Sequence, residues 1–183
     1  MASGAKIDRW LGVNGIPKNN IVQVTQCVYK DMFSYTGATG NYLDWVRIDG
    51  LTHTIKPYYP NSKILVMLDI HMGQSYWEIL GRVARNGQWI GLGDQAGSRA
   101  RCTFADNNYE WTSSANYSQY SVYKSSVLLL DDPDYVSGSV EYTIWLNSYG
   151  SQTVYVNKPA YSNDSSDYWG APISTLTLME VSQ

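Results

Sequence analysis

The stretch Lys63-Ile-Leu-Val-Met-Leu-Asp-Ile-His71 decides the fold class of this chain. After Lys63, residues 64–68 are all apolar, and the remaining residues alternate apolar with polar. We therefore expect a β-strand that is buried on both faces at its start and on one face at its end. Pro57 and Pro60 lie upstream, and Asn61 and Ser62 lead directly into the run, so turn-forming residues mark where the strand begins.

Shorter strand-like runs lie on both sides of this one. Residues 21–28 alternate with a period of two, which is typical of a half-buried strand. Comparable runs occupy residues 43–48, 51–56, 79–85, 88–92, 101–105, 120–130, 139–147, 153–157 and 174–181. Asp49-Gly50 between two runs predicts a hairpin, and Asn86-Gly87, Ser137-Gly138 and Tyr149-Gly150 separate others. No segment carries a sustained helical period with caps, so the sequence predicts an all-β, antiparallel β-sandwich that is jelly-roll-like.

The chain divides into a short arm and one domain. Residues 1–20 contain three glycines and one proline and show no sustained period, which predicts an N-terminal arm. Residues 21–183 form the predicted sandwich domain. Trp10 and Leu11 give the arm an apolar pair to bury, so we expect the arm to dock on its own domain or on a neighbour through these two residues.

Charge and composition restrict the classes of partner. A net charge of -3 and a pI near 5.2 give no basic footprint for nucleic acid or for an anionic membrane. The N-terminus has no apolar signal-peptide core, so we expect a soluble protein that is not exported by the usual secretory signal. The 16 Tyr and 7 Trp against 2 Phe favour interfaces or ligand platforms, although strand propensity alone also enriches these residues.

Candidate catalytic and metal-binding patterns are weak throughout the sequence. Cys27 and Cys102 have no zinc or redox spacing around them, and His53 and His71 lack the adjacent acid and nucleophile of a triad. Three aspartates in residues 131–134 suit a strand-ending turn better than a calcium loop. Glycines at 91, 93 and 97 favour a turn over a phosphate loop. We therefore predict no enzyme activity, no metal and no cofactor.

Two stretches rich in aromatic and small polar residues, 107–120 and 161–169, have the composition of recognition loops. Their candidate receptor or subunit contacts are Tyr109, Trp111, Tyr117, Tyr168 and Trp169. These rings have the rigid faces that stack on sugars. The alternative is that they pack their own loops down or face a sister subunit.

Five segments in order resemble one family of viral domains. They are IVQVTQCVYKD from Ile21, NSKILVML from Asn61, IGLGDQAGSRARCTF from Ile90, TVYVNKPAYSNDSSDYWG from Thr153 and STLTLMEV from Ser174. Together they resemble a β-sandwich domain of bacteriophages that is abundant in marine and cyanobacterial phages. The resemblance covers residues 21–183. The family places this domain at the ends of tail fibres and in small virion proteins, typically as a trimeric knob or appendage, and it offers no catalytic residues to carry over.

The resemblance implies a virion protein that forms a homotrimer and contacts other capsid or tail proteins. Attachment is expected through the arm or through a face of the sandwich, and we predict the arm. Because the arm is only about twenty residues long, we expect an attached decoration or appendage and not a fibre shaft. Capsid decoration and a tail-associated receptor binder both remain open. The rivals from other classes are a lectin-like module that binds a host surface glycan, and a glycan-cleaving enzyme with two opposed acids.

Overall fold

A computed structural model describes residues 20–38, 44–74, 78–106, 117–134, 137–148, 150–162 and 170–183. Within these ranges the chain forms β-strands and one short 3-10 helix at Tyr117–Tyr120. The strands are β1 (Ile21–Tyr29), β2 (Phe33–Thr36), β3 (Asp44–Ile55), β4 (Lys63–Gln74), β5 (Ile79–Arg85), β6 (Gln88–Ile90), β7 (Phe104–Asp106), β8 (Tyr123–Asp131), β9 (Val140–Ser148), β10 (Thr153–Val156) and β11 (Ser174–Val181).

The strands form two antiparallel sheets that pack face to face. In the first sheet, β1, β11, β4 and β8 pair in that order; β10 pairs with the last three residues of β4, and β2 pairs with β10. The second sheet runs β3-β9-β5-β6, with β7 also paired to β5. If β2, β7 and β10 are set aside, the first strand pairs with the last, β3 with β9, β4 with β8, and β5 with β6. This nested pairing is that of a rolled-up ribbon of eight strands, so the predicted jelly-roll-like sandwich is confirmed.

The core lies between the sheets and is built by alternation. Every second residue of β4 from Ile64 to Met72 points inward and is buried, and Leu176 and Leu178 of β11 lie beside them. Tyr142 of β9 is buried from the second sheet. Apolar side chains on the inner faces of both sheets therefore supply the driving force for folding.

Two local predictions are wrong in detail. Asp49-Gly50 does not form a hairpin; β3 runs through it from Asp44 to Ile55, with an irregular register between Arg47 and Thr52. The start of β4 is not buried on both faces, because Leu65 is half-buried and Met67 is exposed. The first difference is a bulge, which Asp-Gly suits as well as it suits a turn. The second leaves an apolar sheet face open.

Other predicted turns are confirmed. Asn86 and Gly87 both have positive φ, at 47° and 80°, and close the hairpin between β5 and β6. Gly91 and Gly97 also have positive φ, in the loop that the sequence predicts. The N-terminal arm lies outside the described residues, apart from Asn20, whose carbonyl accepts a hydrogen bond from the Ser182 amide. In the part of the chain that the structure describes, no helix is long and apolar enough to cross a membrane.

Candidate functional site

The outer face of the first sheet carries two rows of aligned side chains. Cross-strand pairing fixes these rows, because partners in register point to the same side of a sheet. One row is Leu130–Leu65–Met179–Val24, and the next is Leu128–Met67–Thr177–Gln26. We define the apolar face as Val24, Leu65, Met67, Leu128, Leu130 and Met179.

Side chains on the apolar face are unusually exposed for their chemistry. Leu128 is 70% exposed, Val24 55% and Leu130 53%. Single exposed apolar residues are ordinary on a protein surface, but a contiguous patch across four strands marks an interaction site. A shallow depression of about 310 Å³ lies within the same face, between Leu128, Met67 and Thr177.

A polar rim borders the apolar face. At one end Lys124 Nζ lies 3.1 Å from Asp69 Oδ1, and at the other end Lys63 Nζ lies 3.8 Å from Asp132 Oδ2. Both ion pairs are partly exposed, so each contributes little stability by itself. An apolar centre with charged groups at its margin is the usual anatomy of a protein interface.

A pocket of about 480 Å³ lies near the C-terminal end of β4. It is close to the end of the first predicted recognition loop, 107–120, and to the residues that flank the second, 161–169. His71, Tyr120, Pro159 and Gly170 are among its lining residues. The rings of Tyr120 and Tyr161 meet edge to face, with centroids 5.1 Å apart, and the Tyr161 amide donates to the carbonyl of Gln119 at 2.8 Å. Tyr120 ends the 3-10 helix and with it the first loop, and Gly170 follows the second loop. The fold therefore brings the ends of both loops together.

Most of the residues predicted as contacts cannot be placed at this pocket. Trp10, Leu11, Tyr109, Trp111, Tyr168 and Trp169 lie outside the described residues. Tyr117 is the first residue of the 3-10 helix, and its side chain is likewise outside the described part. The anchoring and receptor-contact assignments of these side chains stay predictions.

Sequence reasoning missed a cluster of three tryptophans on the outer face of the second sheet. Arg82 of β5 lies over the rings of Trp45 of β3 and Trp89 of β6, and it is paired in register with Trp145 of β9. The centroids of Trp89 and Trp145 are 5.4 Å apart in an edge-to-face contact, and those of Trp45 and Trp89 are 6.1 Å apart. We call these four residues the Trp–Arg cluster. One signal was present, because Trp145 lies between two inward apolar residues and must point outward. The register that joins the four strands is not visible in the sequence.

Two buried acids have structural roles. Asp131 accepts hydrogen bonds from Tyr142 Oη at 2.6 Å and Arg85 Nη1 at 2.8 Å. Glu180 accepts from the amides of Tyr58 and Tyr59. It also accepts from Ser62 Oγ and Gln23 Nε2. Both carboxylates therefore serve as hydrogen-bond acceptors for neighbouring residues of the domain.

The described histidine, cysteine, aspartate and glutamate side chains form no group of three that could hold a metal ion. Cys27 and Cys102 are both free thiols, and burial raises the pKa of each. A raised thiol pKa means less thiolate at neutral pH, which disfavours both metal binding and nucleophilic chemistry.

Comparisons with known proteins give structural likenesses at low identity. No family model and no curated protein matches the chain. Among solved structures, the chain is similar to infectious bursal disease virus, Gx strain (TM-score 0.43, 5% identity, covering 92% of this chain and 39% of that one). It is similar to the VP2 subviral particle of the same virus (TM-score 0.41, 9% identity, 92% and 39%). It is also similar to dimeric latent PorU from Porphyromonas gingivalis (TM-score 0.35, 11% identity, 89% and 14%). The chain thus spans about two fifths or less of the chains it matches.

Proposed function

We propose that this chain is a structural protein of a bacteriophage particle, a small homotrimeric capsid decoration or fibre appendage. In this proposal the apolar face is buried between copies, and the N-terminal arm holds the assembly to other virion proteins. The observation that carries the proposal is the exposure of Leu128 and Leu130, with Met67 beside Leu128 and Val24 at the far end of the row that starts at Leu130. The sequence resemblance supplies the virion setting.

The sequence of β4 supports a partner for this face. Its first half is apolar on both sides, which is the pattern of a strand covered on both faces. The single chain covers only the inner side, so Leu65 and Met67 remain at the surface. Burying apolar area stabilises by about 25 cal/mol per Å². A second copy that covers the outer side would complete the environment for which the strand is built.

The arrangement of the apolar face suits a closed ring. A three-fold ring joins two different patches of neighbouring copies, unlike a two-fold dimer, which joins one patch to itself. The exposed leucines lie on β8 at one edge of the sheet, and Val24 and Val28 lie on β1 at the other. These two opposite edges of the apolar face are available for a heterologous contact that closes after three copies.

The jelly-roll fold is compatible with this role. Jelly rolls form viral capsid domains, lectins and other proteins, so function must be argued from surfaces. The apolar face and the use of Asp131 and Glu180 within the fold support a binding role and no catalytic step. We therefore propose that the chain is not an enzyme.

Self-association is tested by light scattering coupled to gel filtration over a range of concentrations. The wild-type chain is expected at three times the 20.6 kDa of one copy. Leu128→Glu places a charge on the most exposed leucine of the apolar face and is expected to give the monomer. Gln88→Glu adds the same charge at an exposed position of the second sheet and should leave the trimer intact. A wild-type chain that stays monomeric both in solution and on the particle contradicts the proposal.

The position on the particle is tested by a reconstruction of the intact virion. Copies spread over the capsid lattice would identify a decoration protein, and copies confined to the tail would identify a fibre or adaptor. In either case, density from residues 1–20 should reach another virion protein, with Trp10 and Leu11 at the contact. An assembly attached only through the sandwich would overturn the anchoring role of the arm.

A second function, binding of a host surface glycan as a tail-fibre receptor binder or lectin-like module, is favoured by the pocket at His71, Tyr120 and Pro159. A concavity lined mainly by apolar residues, with Tyr120 as an aromatic ring and His71 as a polar group, has the usual form of a small-ligand site. A glycan array and host adsorption assays with Tyr120→Ala and Trp169→Ala test it. Absence of array hits together with unchanged adsorption would exclude this candidate.

A further inference from the structure

In the Trp–Arg cluster a cation lies over two aromatic rings on the outer side of the second sheet. The guanidinium carbon of Arg82 lies 4.0 Å from the ring centroid of Trp45 and 5.1 Å from that of Trp89. Arg82 Nε donates a hydrogen bond to the carbonyl of Arg101 at 2.8 Å. These contacts fix the plane of the guanidinium. Its two terminal nitrogens donate no hydrogen bond within the described part of the chain.

Arg82 has no acidic partner among the described residues. The four ion pairs found there use Arg47, Lys63, Arg85 and Lys124 as their cations. Burial lowers the pKa of Arg82, and the positive charge of Arg101 also lowers it, against an opposing effect of Cys102. A partly desolvated cation beside a second cation is unfavourable until an anion joins it.

Arg101 extends the positive region. It lies in the loop between β6 and β7, where its Nε donates to the carbonyl of Gly93 at 2.7 Å. Like Arg82, it forms no ion pair within the described ranges. Glu78 lies close enough to act electrostatically on Cys102, as Arg82 does, but it forms no ion pair with either arginine. Two arginines without a direct acidic partner beside a tryptophan surface offer a local positive site on a chain whose net charge is -3.

We propose that the Trp–Arg cluster binds a carboxylated sugar, a uronic or sialic acid unit of an acidic glycan. The terminal nitrogens of Arg82 would hold the carboxylate in the two-pronged geometry that guanidinium groups favour. Trp89, which is 37% exposed, would pack against the C–H face of the sugar ring. The aromatic setting favours a sugar over a free inorganic anion, because a bare anion would leave the exposed indole face uncovered.

This site lies on the second sheet, whereas the apolar face and the pocket at His71 both belong to the first sheet and its loops. The inference therefore does not rest on trimer formation or on a glycan in that pocket. Variants of Arg82 leave both of those features untouched, so the outcomes of the three experiments are separable.

The test is a titration of the full-length chain, followed by tryptophan fluorescence and by saturation-transfer NMR. The probes are trigalacturonic acid with its methyl ester, and sialyllactose with lactose. We expect at least one acidic probe to bind, and its neutral counterpart to bind at least ten-fold more weakly. Arg82→Gln and Trp89→Ala should each weaken binding of the acidic probe by ten-fold or more.

Arg99→Gln is the matched control, because it removes one positive charge from an exposed loop position nearby. It should bind like the wild-type chain. Arg82→Lys keeps the charge without the planar fork and should bind more weakly than wild type. Equal binding of acidic and neutral probes, no binding of any probe at millimolar concentration, or equal losses in Arg82→Gln and Arg99→Gln would each overturn the proposal. Loss of the trimer in Arg82→Gln without any sugar binding would identify the cluster as a protein interface instead.

Discussion

At the scale of single residues, aspartates from one short stretch of sequence differ in burial. Asp131, Asp132 and Asp134 appear in the sequence as one acidic turn, yet only Asp131 is buried. It ends β8 and reaches Tyr142 and Arg85 of the second sheet, so it links the two layers. Burial and the hydrogen bond to Asp131 raise the pKa of the Tyr142 hydroxyl, which stays protonated and donates to the carboxylate. Nothing in the sequence distinguishes Asp131 from its neighbours, because its partners come from distant strands.

We expect Asp131→Ala to lower the free energy of unfolding by about 3 kcal/mol, because it leaves the Arg85 charge and the buried Tyr142 hydroxyl without their partner. Tyr142→Phe retains the ion pair and should lower it by about 1 kcal/mol. Urea unfolding measures both. Asp49→Ala is the control, because it breaks an exposed pair with Arg47 that contributes less than about 1 kcal/mol. Equal effects of Asp131→Ala and Asp49→Ala would refute the linking role.

At the scale of strands, the sequence predicted the elements well because inward apolar residues alternate cleanly. Most runs named from periodicity coincide with observed strands to within a few residues, including β5 and β11. The failure at Asp49-Gly50 has a physical reason. Ile48 and Leu51 are both buried, so the strand shifts its inward set by one residue at this point, and Gly50 gives room to the ring of Tyr29 from β1. Local composition cannot distinguish such a bulge from a hairpin, because the deciding partner is on another strand.

Gly50→Ala tests that account. A Cβ at residue 50 would overlap the ring of Tyr29, so we expect the free energy of unfolding to fall by about 1–3 kcal/mol. Gly93→Ala is a matched control. Its φ is not positive, and the nearest atom to its new Cβ is the Cys102 carbonyl oxygen at 4.0 Å, so only the small effect of reduced unfolded-state entropy should remain. Indistinguishable urea midpoints for the two variants would mean that Tyr29 moves aside without loss.

At the scale of the whole molecule, the sequence indicated the fold class but could not show which faces the fold leaves uncovered. The apolar run of β4 was interpreted as doubly buried, and only the pairing with β8 and β11 shows its outer side at the surface. The Trp–Arg cluster was missed for the same reason, since it forms across four strands. The termini of the domain also meet, because β1 pairs with β11 and the Ser182 amide bonds to the Asn20 carbonyl at 3.0 Å. The arm therefore joins the sandwich beside the end of the last strand.

Because the buried core comes from strands β3 to β11, removal of residues 1–19 is expected to leave the thermal unfolding temperature of the sandwich unchanged. The same truncation should abolish attachment to phage particles, because the proposed anchor, Trp10 and Leu11, is lost. Cosedimentation with particles assembled without the protein measures attachment, and circular dichroism measures unfolding. Trp10→Ala with Leu11→Ala should reproduce the loss within the full chain, whereas Lys6→Ala should not. If the truncated chain cosediments as fully as the wild type, attachment runs through the sandwich, and the apolar face becomes the surface that contacts the particle.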